Sequence, residues 1–467
     1  MATGPRHDAA RRALEEALEP ARVLSDPLEL ALYARDASMF EGGCVLVALP
    51  RSTEEVVSCV RVARGHGLSV VPRGSGTGLA GGAVPFGDAL VVCTAKMNQI
   101  EEIRVEDRLA WVQPGVINLD LDDELRALDY TFAPDPASQQ VSTVGGNAAT
   151  NAGGPHCLAY GVTSGHILAL EVVLPDGAVE RFGSEGPECP GYDLRGLLVG
   201  SEGTLGIVTK VCVRLTPLPP IVRTMLLDFT SVEDCAATVS GIIAAGVVPA
   251  ALEMMDQVIT RAVEEYAHAG YPTDAAAVLL VEVDGMQESV EAQAREVERV
   301  ARGNGVREIR VADTGTERDL LWKGRKSSFG ATARLGTGYF LHDCVVPRAK
   351  LVEVMSGVYE IIGRYGLKGR VALHAGDGNL HPLLAFDRHD PSALERAWRA
   401  SEEILRLCVA AGGTLSGEHG IGLEKRNFMA LVYTGADLEA QAHVRAAFDP
   451  DGLMNPEKVL PSEDAWT

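Results

Sequence analysis

Three histidines and one glutamate, set in two short glycine-rich stretches, offer the most readable chemistry in this chain. The first stretch runs His374-Ala-Gly-Asp-Gly-Asn-Leu-His381. Asp377-Gly378 is a strong hairpin signal. A two-residue loop there sets His374 directly opposite His381, and a four-residue loop over 376–379 gives the same pairing. Two imidazoles facing each other on one sheet face suit a shared divalent metal. The plainer alternative is two unrelated histidines serving core or surface. The second stretch, Ser416-Gly-Glu418-His419-Gly-Ile-Gly422, adds a carboxylate and a third imidazole. His374, His381 and Glu418 would form a metal site with open positions. His419 would be left as a general base, its ordinary pKa of about 6.5 suiting proton transfer near neutrality. An anion clamp is also required. In the helical stretch Leu321-Trp322-Lys323-Gly324-Arg325-Lys326, Arg325 is the choice, because guanidinium grips carboxylate through two hydrogen bonds. Lys323 and Lys326 read as solvated helix charges.

Such groups must be positioned against whatever the glycine loops hold. The segment Val71-Pro72-Arg73-Gly74-Ser75-Gly76-Thr77-Gly78-Leu-Ala-Gly81-Gly82 follows a strand-like run. Glycine at this density lets backbone N–H groups approach a diphosphate closely, and Arg73, Ser75 and Thr77 add charge and donors. Gly76, Gly78 and Gly81 formally match a Rossmann fingerprint, with Glu101 further on, but no helix opens at the loop. Pro85, Gly87 and Asp88 lead instead to another strand. No Gly-Lys-Ser/Thr follows either, which excludes a Walker A loop. A second segment contains Ser142, Thr143, Gly145, Gly146, Asn147, Thr150, Asn151 and Gly153, and reads as a small, flexible, polar loop. A third contains Gly200, Gly203 and Ile207 and opens a strand. Three such loops within residues 72–207 argue for one long ligand threaded between two subdomains.

The elements divide into three parts. Residues 1–218 hold short β-type runs at 45–49, 68–71, 89–93, 110–113, 167–174 and 206–215. Pro217, Pro219 and Pro220 then punctuate the chain. Residues 219–412 alternate strands (222–229, 278–283, 307–311, 339–346) with helices (232–245, one ending near 302, 320–333, 347–365), an α+β pattern. Residues 413–467 are glycine-rich, then helical, then irregular. Acidic residues outnumber basic ones by 64 to 42, for a net charge of -22. Such a surface repels nucleic acid and anionic lipid, and an anionic substrate needs local positive charge. Nine cysteines, dispersed from Cys44 to Cys408, fit reduced thiols and supply no iron–sulfur cluster. The first twenty residues read as an amphipathic helix rather than a signal peptide. No apolar run reaches the ~18 residues of a membrane span. The expected location is cytoplasmic.

The loops at 72–82, 143–154 and 200–207 resemble those of the vanillyl-alcohol oxidase type of FAD-binding domain. Asn151-Ala-Gly-Gly-Pro-His-Cys-Leu-Ala-Tyr-Gly-Val-Thr163 is similar to the group containing the glycolate oxidase FAD-linked subunit and D-lactate dehydrogenase. The likeness spans residues 22–461. It implies a two-subdomain FAD-binding fold, a substrate (cap) domain with an antiparallel sheet, and a helical C-terminal segment completing the active site. It implies that 73–82 hold the FAD diphosphate, and that Pro134, Asp135, the 142–151 segment, Ile207 and Asn455 line the rest. In the related D-2-hydroxy acid dehydrogenases the positions of His374, His381 and Glu418 bind zinc or another divalent ion (manganese and iron are alternatives here). There the histidine after the glutamate is the base, and the substrate arginine matches Arg325.

Three departures bear on the substrate. Leu383 stands where 2-hydroxyglutarate enzymes carry a polar residue, and Leu341 stands where they carry a lysine before Asp343. Both favour a monocarboxylate such as glycolate or D-lactate. Glu457 replaces glycine in Asn455-Pro-Glu-Lys458, which leaves the backbone there open. The resulting expectation is metal-assisted, FAD-dependent oxidation of a small 2-hydroxy acid. Electrons would leave to O₂, a quinone or an iron–sulfur partner near the membrane, and a homodimer is compatible. The competing readings are a D-2-hydroxyglutarate-type dehydrogenase of the same fold, a metal-dependent hydrolase, and a non-catalytic flavin-binding electron-transfer subunit.

Overall fold

The structure is a computed structural model and describes residues 4–186, 190–333 and 336–462. The extreme ends of the domains expected at 1–218 and 413–467 thus lie outside the described residues. The chain forms two compact units: Met1–Gly153, Val162–Leu218 and Glu418–Thr467 make one, and Gly154–Gly161 with Pro219–Gly417 make the other.

In the first unit a four-stranded sheet runs in the order Val23–Leu24, Leu46–Ala48, Ala89–Cys93, Ser69–Arg73, the last three parallel. Parallel strands are covered on both faces, and every residue of Ala89–Cys93 is buried. Helix Thr53–Gly65 starts at Ser52, whose hydroxyl accepts the Glu55 N–H. It buries Val56, Cys59, Val60 and Ala63, a single stripe at helical spacing. A five-stranded antiparallel sheet follows, in the order Ile100–Arg104, Leu109–Val112, Ile207–Arg214, Ile167–Val173, Val179–Gly183. The 142–154 stretch, expected to be a flexible loop, instead contains helix Val144–Thr150. Thr143 caps it through the Gly146 N–H, and burial of Val144, Asn147 and Ala148 outweighs the poor helix propensity of its two glycines.

The second unit is built on an eight-stranded sheet. Its order is Glu308–Val311, Ile221–Phe229, Ala277–Gly285, Ala251–Asp256, Lys368–His374, Asn379–Phe386, Gly338–Leu341, with Cys344–Val345 also paired to Asn379–Phe386. All its pairings are antiparallel. The single strand expected over 339–346 is interrupted at His342 and Asp343. The helix expected over 320–333 is two, Gly315–Lys326 and Ser328–Ala333. Side chains alternate between faces. One face carries Met225, Leu227, Phe229, Leu279, Val281, Leu252, Met254, Leu373, Leu380 and Leu384, all buried. The other carries Glu282, Glu253, Arg370, His374, Asn379 and His381, also buried. No described helix is long and apolar enough to cross a membrane.

Candidate active site

The hairpin joining Lys368–His374 to Asn379–Phe386 places the first two histidines. Its register corrects the expected one. His374 pairs with Asn379 and Ala372 pairs with His381, so the two histidines are diagonal neighbours, not directly opposed. The loop is 375–378. Asp377 N–H reaches the His374 carbonyl at 3.1 Å and Gly378 N–H reaches the Ala375 carbonyl at 3.2 Å. Only Gly378, at φ 73°, takes the left-handed conformation, whereas a type I′ turn needs both central residues there. The shift between 374↔381 and 374↔379 is two residues, so both imidazoles keep the same face. Their ring centroids lie 5.0 Å apart, edge to face.

Each ring is held by its Nδ1. His374 Nδ1 lies 2.9 Å from both carboxylate oxygens of Glu253, on the adjacent strand. His381 Nδ1 donates to the His342 carbonyl at 3.2 Å. This directs Nε2 of both rings outward, the arrangement by which a carboxylate or carbonyl orients a metal-binding imidazole. The donor chemistry therefore fits a divalent cation. Asp343, fully buried, accepts the Ser416 hydroxyl at 2.6 Å and the Gly417 N–H at 2.9 Å. Glu418 is the next residue in the chain.

Arg325 is buried, on helix Gly315–Lys326, with Nη2 2.6 Å from Glu253 Oε2 and Nη1 3.3 Å from the Ser328 hydroxyl. Glu253 thus bridges Arg325 and His374. Sequence reading missed it because Glu253, on strand Ala251–Asp256, lies 121 residues before His374. Further along the same face Glu282 accepts from Arg318 (2.9 Å to each oxygen), Trp322 Nε1 (2.7 Å) and the Thr224 hydroxyl (2.5 Å), with His156 Nε2 at 3.2 Å. Burial alone would raise its pKa, but His156 and Arg318 hold it well below the usual carboxylate range. His156 and Tyr160 belong to the excursion Gly154–Gly161, and Tyr160 donates to Asp284 at 2.5 Å. Part of the 151–163 segment, whose sequence carries the family likeness, is therefore seated on this sheet.

In the first unit the three glycine loops converge. A Cβ on Gly74 would lie 2.4 Å from Thr143 Oγ1, joining the first loop to the second. A Cβ on Gly203 would lie 2.9 Å from Pro72, joining the third to the first. Gly76 and Gly81, at φ 76° and 80°, need glycine on conformational grounds. No helix follows the loop before Ala89–Cys93, which departs from a Rossmann turn. Asn118 Nδ2 donates to the Pro134 carbonyl and to Asn147 Oδ1, both at 3.0 Å, tying Pro134 and buried Asp135 to the second loop. Asn151 ends the helix at φ 51° and accepts the Ser164 N–H at 2.8 Å. Asn455 Nδ2 donates to the carbonyls of Gly82 (2.8 Å) and Glu202 (2.7 Å). Such a cradle, closed to side chains at its contacts, fits a dinucleotide.

The same unit takes in Glu418 and His419. The buried carboxylate of Glu202 accepts the Ile421 N–H at 2.6 Å and the Gly422 N–H at 2.9 Å, and Leu423 N–H reaches the Ala80 carbonyl at 2.8 Å. The C-terminal segment, expected to complete the active site, is thus anchored on the glycine loops at 421–423. Glu457, in place of the family's glycine, sits at φ 64°, the left-handed conformation that a glycine takes without strain.

Comparison with known proteins agrees with this architecture. Residues 45–183 match the FAD binding domain model, and residues 218–459 match FAD linked oxidases, C-terminal domain. The chain belongs to the FAD-linked oxidase family. It is 41% identical to "Glycolate oxidase subunit GlcD" of Escherichia coli (strain K12), over 96% of this chain and 90% of that protein. It is 39% identical to the Bacillus subtilis (strain 168) protein of the same name, over 92% of each. It is 33% identical to "Probable D-lactate dehydrogenase, mitochondrial" of Danio rerio, over 89% of this chain and 84% of that one. In fold it is similar to p-cresol methylhydroxylase, at TM-score 0.82 and 19% identity over 98% and 97% of the two chains. A 4-ethylphenol oxidase from Gulosibacter chungangensis gives TM-score 0.81 and 19% identity over 98% of each. This FAD-linked oxidase has the vanillyl-alcohol oxidase type of α+β fold and is an FAD-dependent oxidoreductase.

Proposed function

We propose that this FAD-linked oxidase converts a small 2-hydroxy acid of the glycolate or D-lactate type to the 2-oxo acid. The names of its relatives support the substrate class. The observation that carries the chemistry is the pair His374 and His381, diagonal on one sheet face, each with Nδ1 engaged and Nε2 turned outward. The converged glycine loops would hold FAD, which would supply the hydride acceptor, and His374, His381 and Glu418 would hold a divalent cation (zinc, manganese or iron), which would polarise the hydroxyl. His419 takes the hydroxyl proton as the bond from Cα to hydrogen breaks. The C–O bond gains its second bond from the electron pair the proton leaves behind, and the substrate loses two electrons and two hydrogens in all. A buried arginine must meet the carboxylate, because the net charge of -22 repels it elsewhere. Arg325 is the residue expected from the sequence. Leu341 and Leu383, on the same face, keep that part of the site apolar. Electron exit to a partner protein is supported by the word "subunit" in the relatives' names.

The test is anaerobic mixing of the purified holoprotein with glycolate, D-lactate, L-lactate and D-2-hydroxyglutarate, following the visible absorbance of oxidised flavin. Rapid bleaching by glycolate or D-lactate is expected. Bleaching by none of the four would remove the substrate class.

A further inference from the structure

A glutamate stands among the glycines of the third loop in a backbone conformation that suits glycine. Glu202 sits at φ 52°, between Gly200 at φ 82° and Gly203 at φ 72°. The left-handed region costs a residue with a side chain free energy that glycine avoids. The Glu202 carboxylate is buried as well, a second cost unless donors meet it. Both costs are offset by what the residue binds. Ile421 N–H donates to Oε1 at 2.6 Å, and Gly422 N–H donates to Oε1 and Oε2 at 3.1 and 2.9 Å. The Glu202 N–H reaches the Ala149 carbonyl, in helix Val144–Thr150 of the second loop, at 2.8 Å. Its carbonyl accepts Asn455 Nδ2 at 2.7 Å, and the same nitrogen donates to the Gly82 carbonyl of the first loop at 2.8 Å. The carboxylate is wedged between glycines. A Cβ on Gly82 would lie 3.0 Å from Oε2, and one on Gly420 would lie 2.7 Å from Oε1. Burial pushes the carboxyl pKa up, while those N–H groups and the charges of Lys425 and Lys458 pull it down.

His419 directly precedes Gly420. We infer that Glu202 is a positioning residue for the oxidation: its carboxylate pins residues 420–422 to the glycine loops and so fixes where His419 stands relative to the cofactor those loops would hold. This rests on the reading of His419 as proton acceptor, though the pinning itself does not. Gly420 and Gly422, at φ 84° and 51°, flank Ile421 in left-handed conformations. Two such glycines leave the segment loosely jointed unless something outside it holds it. Glu202 supplies that hold through three hydrogen bonds, and Leu423 N–H adds one more to the Ala80 carbonyl. Because the hold comes from the cofactor loops, the coupling is reciprocal: a cofactor that orders the loops also orders residues 418–422. A displaced proton acceptor slows the chemical step without loosening the substrate, whose carboxylate is assigned to Arg325.

The experiment compares wild type with Glu202→Gln, Glu202→Ala and Glu202→Gly. Amide hydrogen exchange across residues 418–422 is followed by mass spectrometry, with and without FAD. The limiting rate and the saturation constant of anaerobic flavin reduction are measured with glycolate and D-lactate at matched flavin content. In wild type, FAD should slow exchange across 418–422. In Glu202→Ala that protection should be lost, and the limiting rate should fall on the order of 100-fold with the saturation constant nearly unchanged. Glutamine keeps one acceptor oxygen and should recover part of both. Glu202→Gly relieves the left-handed strain, so it should fold and take up FAD at least as well as Glu202→Ala, yet reduce flavin as slowly. A residue that mattered only to the stability of the loop would be rescued by glycine. Equal exchange in all four proteins, a rate restored by glycine, or a loss confined to the saturation constant would overturn the inference. If no hydroxy acid reduces the wild-type flavin, the oxidation reading fails by itself, and the exchange comparison still decides whether Glu202 holds the segment.

Discussion

Each face of the eight-stranded sheet buries a carboxylate, yet the two faces treat it in opposite ways. Glu282, on the polar face, is 2% exposed and meets Arg318, Trp322, Thr224 and His156, which hold its pKa well below the usual range against the pull of burial. Asp256, on the apolar face, is 5% exposed and meets only neutral donors, so burial pushes its pKa up. Partners, more than depth, decide whether a buried acid remains charged. The face that collects charged partners also carries both imidazoles, Glu253 and Arg370. The face with a lone acid works as a core, where Asp256 starts helix Gln257–Ala267 and ties it to strand Lys368–His374.

The sharpest way to break this comparison is to substitute neighbours that point in opposite directions. His374→Ala should slow flavin reduction roughly a thousandfold, several kcal/mol of lost charge stabilisation, with little change in unfolding temperature. Leu373→Ala, next to it on the apolar face, should cost about 2–5 kcal/mol of stability while the folded protein reduces flavin at a near-normal rate. Rapid-mixing kinetics and thermal melts on both variants check the pair.

Glu253 comes next. Glu253→Ala leaves Arg325 buried without its counter-charge and should destabilise by about 3–5 kcal/mol, whereas Glu253→Gln should fold better. In the folded glutamine variant, divalent-metal affinity should fall by about 10–100-fold, because His374 loses its orienting carboxylate. Metal titration followed by elemental analysis reads the effect. Unchanged affinity would reduce Glu253 to a packing partner.

Smaller effects follow from the two carboxylates and differ in sign with pH. The folded pKa of Glu282 lies below its ordinary 4.5, so its stabilisation is present at neutral pH and is lost as pH falls below that value. Glu282→Gln should therefore cost about 3 kcal/mol at pH 7 and progressively less on acidification. Asp256 runs the other way. Its folded pKa lies above its ordinary 3.8, so the folded state binds the proton more readily, and wild type gains stability as pH falls through the folded value. Asp256→Asn should change stability by only about 1 kcal/mol at pH 7, with wild type gaining relative to it in acid. Chemical denaturation between pH 2 and pH 8 should show the two curves diverging, and parallel curves would contradict the contrast between the faces.

Much of the site was legible because its residues are local. The Asp377-Gly378 turn announced a hairpin, and period-two alternation kept His374 and His381 on one face even though the register was misjudged. The glycine loops were legible because dense glycine is costly unless its conformations are used, as Gly76 and Gly81 use theirs. Glu253 and Glu202 were not legible. Glu253 lies on a strand that the alternating pattern did not reveal, and Glu202 holds backbone N–H groups 219 residues away. The return of Glu418 and His419 to the first unit was hidden for a related reason, since contact-defined units need not follow chain order.

The central claim is that the sheet's imidazole-bearing face performs the oxidation of a 2-hydroxy acid. The most direct measurement is the anaerobic rate of flavin reduction by the best hydroxy acid in wild type, His381→Ala and Leu380→Ala, each at matched flavin content. The account predicts rapid reduction in wild type, near-abolition in His381→Ala, and a largely preserved rate in whatever Leu380→Ala protein folds. Equal rates in wild type and His381→Ala would contradict it.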